Sequence, residues 1–334
     1  MKRKMIYYFG MVILLLGVTL FTGCRWWQRA PERSPGPETQ KDAPKVAIPD
    51  PINQGEKVEP EISVYLAEEN RVQAMKIEEY LQGVVAAEMD PAWPQEALAA
   101  QAIIARSFTL QKISEDGGVP ERNAHASTDI QEFQAYDASR INANVRQAVE
   151  STRGLVAVYG NEFIRGWFHA YAGPRTATAP EGLEFDGPNP PYIQIVESPA
   201  DEIIPEDERN WQASFPLSQI RSATREITGK DPGEVTKMEI AEKGPSGRVV
   251  SFRVNDVEVS GPQLRLKLGS TEMRSTYVEN LEIEDGKVNM KGVGYGHGVG
   301  MCQWGARALA EAGKSAEEIV KCYYKNIELV KLWD

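Results

Sequence analysis

Ile77-Glu78-Glu79-Tyr80-Leu81-Gln82-Gly83-Val84-Val85-Ala86-Ala87-Glu88-Met89 is the stretch from which this chain is best read. Its spacing predicts a helix. Leu81, Val84 and Glu88 fall at i, i+3 and i+7, on one face. That face is apolar, so it turns inward and takes a carboxylate with it. Glu78 and Glu79 fall on more polar positions. A buried carboxylate is costly unless paired or protonated, and burial raises its pKa. A Glu kept partly protonated near neutral pH can serve as a general acid. The bland alternative is a helix carboxylate that reaches solvent or pairs with an arginine. The pattern by itself favours that alternative, since ion pairs also perturb titration.

Working outward, Pro91 limits this helix, and a second opens at Pro94 and runs toward Lys112. Its Leu98, Ala102 and Ala105 form a narrow apolar stripe. Arg106 borders the stripe, where it can face Glu88. Upstream, Ile62, Val64 and Leu66 alternate as in a half-buried strand, and Glu68-Glu69-Asn70 turns into a second strand over 72–76. Hairpin signals follow at Gly160-Asn161, Gly244-Pro245-Ser246-Gly247, Asn255-Asp256 and Asp285-Gly286. Helices return at the C-terminal end: Gln303 to Ala312, stopped by Gly313, and a last one opened by the capping box Ser315-Ala316-Glu317-Glu318. The expected class is α+β, a helical catalytic core with β-hairpins and a β-rich subdomain at roughly 230–285.

The chain has 334 residues, 42% hydrophobic and 25% charged, enough for a real core. Its net charge of −11 argues against nucleic-acid binding, which relies on Lys and Arg to neutralise phosphate. Met1-Lys2-Arg3-Lys4 is basic, and an apolar run from Met5 to Thr22 follows. Residues 1–24 therefore read as a signal peptide or a membrane anchor, with the bulk of the chain outside the cytoplasm. The small residues before Cys24 resemble a bacterial lipoprotein cleavage site, with Cys24 the lipidated residue and Phe21 a departure from it. Residues 25–58 are rich in proline and charge and read as a linker. The folded catalytic region is then 59–334.

Lys291 to Gly305 holds six glycines in fifteen residues. Such a loop before a helix presents N–H groups to an oxygen-rich ligand. His297 and Gln303 lie in it and can line a cleft. His297 with Cys302 invites a thiol-hydrolase reading, but no orienting Asn or Asp can be identified. The bland readings are a histidine bonded to a loop carbonyl and a buried, inert thiol. A second cluster runs from Trp167 to Thr176. Its His169, Tyr171 and Thr176 suit sugar contact, although an aromatic strand packed into a core gives the same pattern. His125, His169, His297, Cys302 and Cys322 are too scattered for a metal site, so neither metal nor other cofactor is expected.

Taken in order, these motifs resemble the stage II sporulation protein D family. The resemblance is carried by Tyr80 to Met89, by Glu96 to Phe108, and by Phe168 to Thr176 with Pro174 where a second Gly is usual. It continues through Ser260-Gly261, Leu264-Arg265, Leu268 and Ser275-Thr276, and closes on Gly294 to Met301 with Gln303 to Ala306. It covers roughly residues 60–330, and several ordered motifs are more specific than any one. The resemblance implies a membrane-tethered lytic transglycosylase of endospore formers that acts in engulfment. The implied substrate is peptidoglycan glycan stripped of stem peptides by a partner amidase, with a membrane protein as scaffold. The family's catalytic glutamate falls on Glu88. Some relatives are instead modifiers of an amidase, so the alternative function is a non-catalytic glycan-binding module that activates one. Some members hold zinc in the stretch matching about 120–136. Here His125 is present but Phe133 stands where Cys is expected, and the zinc does not carry over.

A lytic transglycosylase needs one carboxyl to protonate the bond between N-acetylmuramic acid and N-acetylglucosamine. The muramic 6-hydroxyl then closes a 1,6-anhydro end. A conventional glycosidase needs two carboxylates. The sequence offers no obvious second one, and Asp90, two residues on, is expected to point away. Arg106 is expected to orient Glu88 or the muramic carboxylate, and His169, Tyr171, Thr176, His297 and Gln303 to contact substrate.

Overall fold

Two helices carry the centre of the molecule, in a computed structural model that describes residues 46–334. Ile77–Glu88 ends in the extended Met89. Gln95–Asp116 runs past Lys112 and stops where Gly117 turns left-handed (φ 73°) and returns its N–H to Lys112 and Ile113. Five residues of the long helix's core are alanines, at 97, 99, 100, 102 and 105, all buried. Small side chains let many neighbours approach. Ile77–Glu88, Ala143–Ser151, Gln303–Glu311, Ala316–Tyr323 and the strand Leu155–Tyr159 all pack on it.

Short sheets frame this helical centre. Glu61–Leu66 pairs antiparallel with Arg71–Lys76 and parallel with Ala126–Ser127. Leu155–Tyr159 lies between Glu162–Phe163 and Glu328–Lys331. Met301–Cys302 runs parallel to Phe168–His169, in the register Met301 to Phe168 and Cys302 to His169. That pairing brings two distant motifs side by side. The fold is α+β, and each hairpin named above forms at its turn residues.

The β-rich part is larger than 230–285. Asn210–Pro216 joins Lys287–Val293 and Val278–Glu284 in one sheet. Met238–Lys243, Val249–Val254 and Val257–Ser260 make another. The two share a second core around Trp211, Phe215, Ile220, Phe252 and Met290. The linker is also shorter than expected. Ile48 and Ile52 are buried in the main core, so the folded part begins before residue 59. Residues 1–24, Cys24 and most of the linker lie outside the described residues. Among the described residues no helix is long and apolar enough to cross a membrane.

Candidate active site

Glu88 is the last residue of its helix and is partly buried. Its Oε1 accepts the Ala135 N–H at 3.0 Å, and its Oε2 lies 3.5 Å from Gln303 Nε2. Desolvation dominates these two donors and pushes the carboxyl up to about 7. The carbonyl end of a helix also disfavours a negative charge. The Ala135 donor depends on Gly83. A Cβ there would sit 2.1 Å from the Tyr136 ring, so glycine alone lets the 133–137 segment cross the helix this closely. Asp137 N–H then bonds the Gly83 carbonyl at 3.0 Å, and Tyr136 stacks on Tyr80.

Glu88 opens into a cleft of about 320 Å³. Trp93, Trp304, Arg140, Arg307, Glu208 and Gln303 are among its walls. The two tryptophan rings lie 4.8 Å apart, and the Arg307 guanidinium sits over both. Arg140 donates to the Ala87 and Met89 carbonyls at the end of the Glu88 helix. Larger hollows exist on the β-rich part, one around Trp211 and Lys291 and one around Arg221 and Val235, but Glu88 lines neither.

Of the residues predicted for the site, the cleft collects Glu88 and Gln303. Arg106 does not face Glu88. It makes a two-pronged ion pair with Glu78, at 3.0 and 2.6 Å, and both side chains are buried. Glu78 is thus not on a polar face. It also accepts from Gly154 N–H and the Trp333 indole, so the buried charge is fully bonded. His169 and Tyr171 lie on an extended segment on which Ala170 faces the cleft, so their side chains point the other way. His169 Nδ1 meets the Val299 carbonyl, and the Tyr171 hydroxyl donates to Asp201. Thr176 is buried, bonded to Gln194 O and Val196 N. His297 lies against His169, its Nδ1 accepting from Val299 N–H. Desolvation and the nearby Arg265 and Arg248 push it down to about 3, which keeps it neutral.

Cys302 is no nucleophile. Its sulfur accepts the Gly305 and Ala172 N–H groups as a helix cap, and burial pushes the thiol up to about 11. Among the described residues no group of three His, Cys, Asp or Glu is placed to hold a metal. His125 Nδ1 accepts from Ser63 N–H, and Phe133 packs edge-on against Phe108. Sequence reasoning missed Trp93, Arg140, Glu208 and Arg307. Trp304 stood in a quoted motif without a role. Asp90 lines the cleft rather than avoiding it, with Oδ1 capping Ala92 N–H. The expectation of no further carboxylate near Glu88 is therefore corrected.

Known proteins are similar to this chain over much of its length. A family described as Stage II sporulation protein matches residues 65–159, which include Glu88. A Stage II sporulation protein D of Bacillus amyloliquefaciens is 29% identical over 280 residues, covering 80% of this chain and 78% of that one. That of Bacillus subtilis is 28% identical over 318 residues, covering 89% and 82%. Over most of its length this chain is similar to Stage II sporulation protein D, and the matched family segment carries Glu88. Residues 204–300 match a domain of unknown function, and they span most of the β-rich part of this chain. An Amidase enhancer of Bacillus subtilis is 28% identical over 295 residues, 75% of this chain but 40% of that protein.

Proposed function

We propose that this chain is a cell-wall enzyme of sporulation, a lytic transglycosylase acting on peptidoglycan glycan strands. The observation that carries the reading is Glu88, a carboxyl raised to about 7 and open to a cleft walled by two tryptophans. Such a group is protonated often enough at neutral pH to donate, and ionised often enough to accept a proton back. Trp93, which is partly exposed, lines the cleft where a sugar ring would sit, and the buried Trp304 packs against it. Gln303 Nε2 lies 3.5 Å from Oε2, a long contact beside the Ala135 bond to Oε1. The family match over residues 65–159 and the likeness to Stage II sporulation protein D support the sporulation setting.

In this mechanism Glu88 donates its proton to the glycosidic oxygen as the bond to muramic C1 breaks. The muramic 6-hydroxyl attacks C1, and its proton returns to Glu88. The substrate is glycan free of stem peptides, which implies an amidase partner. Residues 1–24 would tether the protein outside the cytoplasm, by Cys24 or by the apolar run itself. The likeness to an Amidase enhancer supports a second reading, a glycan-binding module that activates an amidase without cutting.

The test incubates the full chain, and a folded Glu88→Gln variant, with peptide-free glycan strands. Mass spectrometry reads the new ends. Anhydro-muramic ends that vanish in Glu88→Gln are expected. Hydrated ends would make the protein a hydrolase. Binding without cleavage would leave the amidase-activating reading.

A further inference from the structure

We propose that Glu208 is a second catalytic carboxylate in the same cleft, a fixed anion that stabilises the positive charge developing on the sugar ring. The proposal rests on the glycan-cleaving function above and adds a residue to it. Glu208 lies on the short helix Glu206–Arg209, which leads directly into the strand Asn210–Pro216. It lines the cleft with Glu88, although 120 positions separate them in the chain. Its Oε2 accepts the Trp304 indole N–H at 3.0 Å. That donor is itself immobile. Trp304 is 6% exposed, its backbone N–H bonds Ala170 O at 3.1 Å, and its ring leans on Trp93. One carboxylate oxygen is thus anchored by the ring that walls the cleft.

The two carboxyls sit in unlike surroundings. Glu88 is partly buried at a helix end, whereas Glu208 is exposed. Carboxyls in environments this different divide into an acid and an anion. A charge placed before the reaction, with no reorganisation needed, is an effective way to favour a transition state. The other charged groups around Glu208 are Asp90, Arg140 and Arg307 from the cleft, and Glu206, Asp207 and Arg209 on its own helix. Arg307 forms its ion pair with Glu311, and no ion pair to Glu208 exists among the described residues. In the reaction, Glu88 gives its proton to the glycosidic oxygen, which keeps the electron pair of the broken bond. O6 forms the new bond to C1, and its proton passes to Glu88. Glu208 forms no bond and moves no proton.

The experiment measures cleavage of peptide-free glycan against pH with the full chain, as wild type, Glu208→Gln, Glu208→Asp and Glu88→Gln. Wild type is expected to lose rate at alkaline pH as Glu88 ionises. Glu208→Gln should lower kcat by about 10²- to 10³-fold, the scale of one preorganised electrostatic group, with KM little changed and the alkaline limb kept. Glu208→Asp, which keeps the charge, should recover part of that rate. An unchanged rate in Glu208→Gln, with wild type active, overturns this proposal alone. A Glu208→Asp as slow as Glu208→Gln also overturns it and marks Glu208 as a support for Trp304. A wild type that binds glycan but never cuts overturns the transglycosylase itself.

Discussion

At Glu88, acidity and stability are two sides of one quantity. Its folded pKa of about 7 stands above the ordinary carboxylate value, so the folded state holds its proton more tightly than the unfolded chain. Below the unfolded value, about 4.3, both states are protonated and the site costs nothing. As pH rises from there to 7, stability falls, and above 7 the loss is complete. Glu88→Gln removes that loss. It should be more stable than wild type by on the order of 1–3 kcal/mol at pH 8 and no different at pH 4. Urea unfolding at the two pH values measures it, and an equal gap at both would show that charge is not the cause. The burial of Glu88 could be read from sequence because its helix face is apolar, but that pattern alone favoured a bland carboxylate, and a catalytic role came only with the resemblance. Glu208 could not be singled out, since an acidic run looks solvated until Trp304 arrives from far along the chain.

Elements were legible wherever their signals are local. The turn residues Gly160-Asn161, Asn255-Asp256 and Asp285-Gly286 each close a hairpin, and the Ser315 box opens the final helix. What is not local was misjudged. The strand Asn210–Pro216 belongs to the β-rich part through a partner more than seventy residues downstream, which no window of sequence contains. Period in a helix also says which side chains share a face but not what meets that face, and so Arg106 was aimed at the wrong glutamate. The Glu88 helix and the 133–137 segment test this scale. Gly83→Ala should improve helix propensity by up to about 1 kcal/mol yet push Tyr136 away. The Ala135 donor would leave Glu88 with it. The alkaline limb of the rate profile should then move to higher pH, because a group that favours the carboxylate is gone. A profile unchanged in Gly83→Ala would mean the segment yields without carrying Ala135 along.

Over the whole molecule, the buried Glu78–Arg106 pair ties together both central helices, the backbone at Gly154 and Leu155, and Trp333. Arg106→Ala should cost about 3–5 kcal/mol, because Glu78 would stay buried without its counter-charge. Denaturant unfolding checks this, and an unaltered midpoint would show that water replaces the guanidinium. The β-rich part is bonded to the centre by a similar knot. Glu181 accepts from Ser246 and the Arg248 backbone, while the Arg248 guanidinium reaches the Ala172 and Arg175 carbonyls.

The cleft walls come from five stretches of chain: Ala87 to Trp93, then Arg140, then Ala170, then Glu208, then Gln303 with Trp304 and Arg307. During synthesis, the acid is made more than two hundred residues before the last wall. A half-made chain therefore carries the carboxyl without the walls that would hold a glycan against it. On the proposed reading, the cutting site comes into being only with the completed polypeptide.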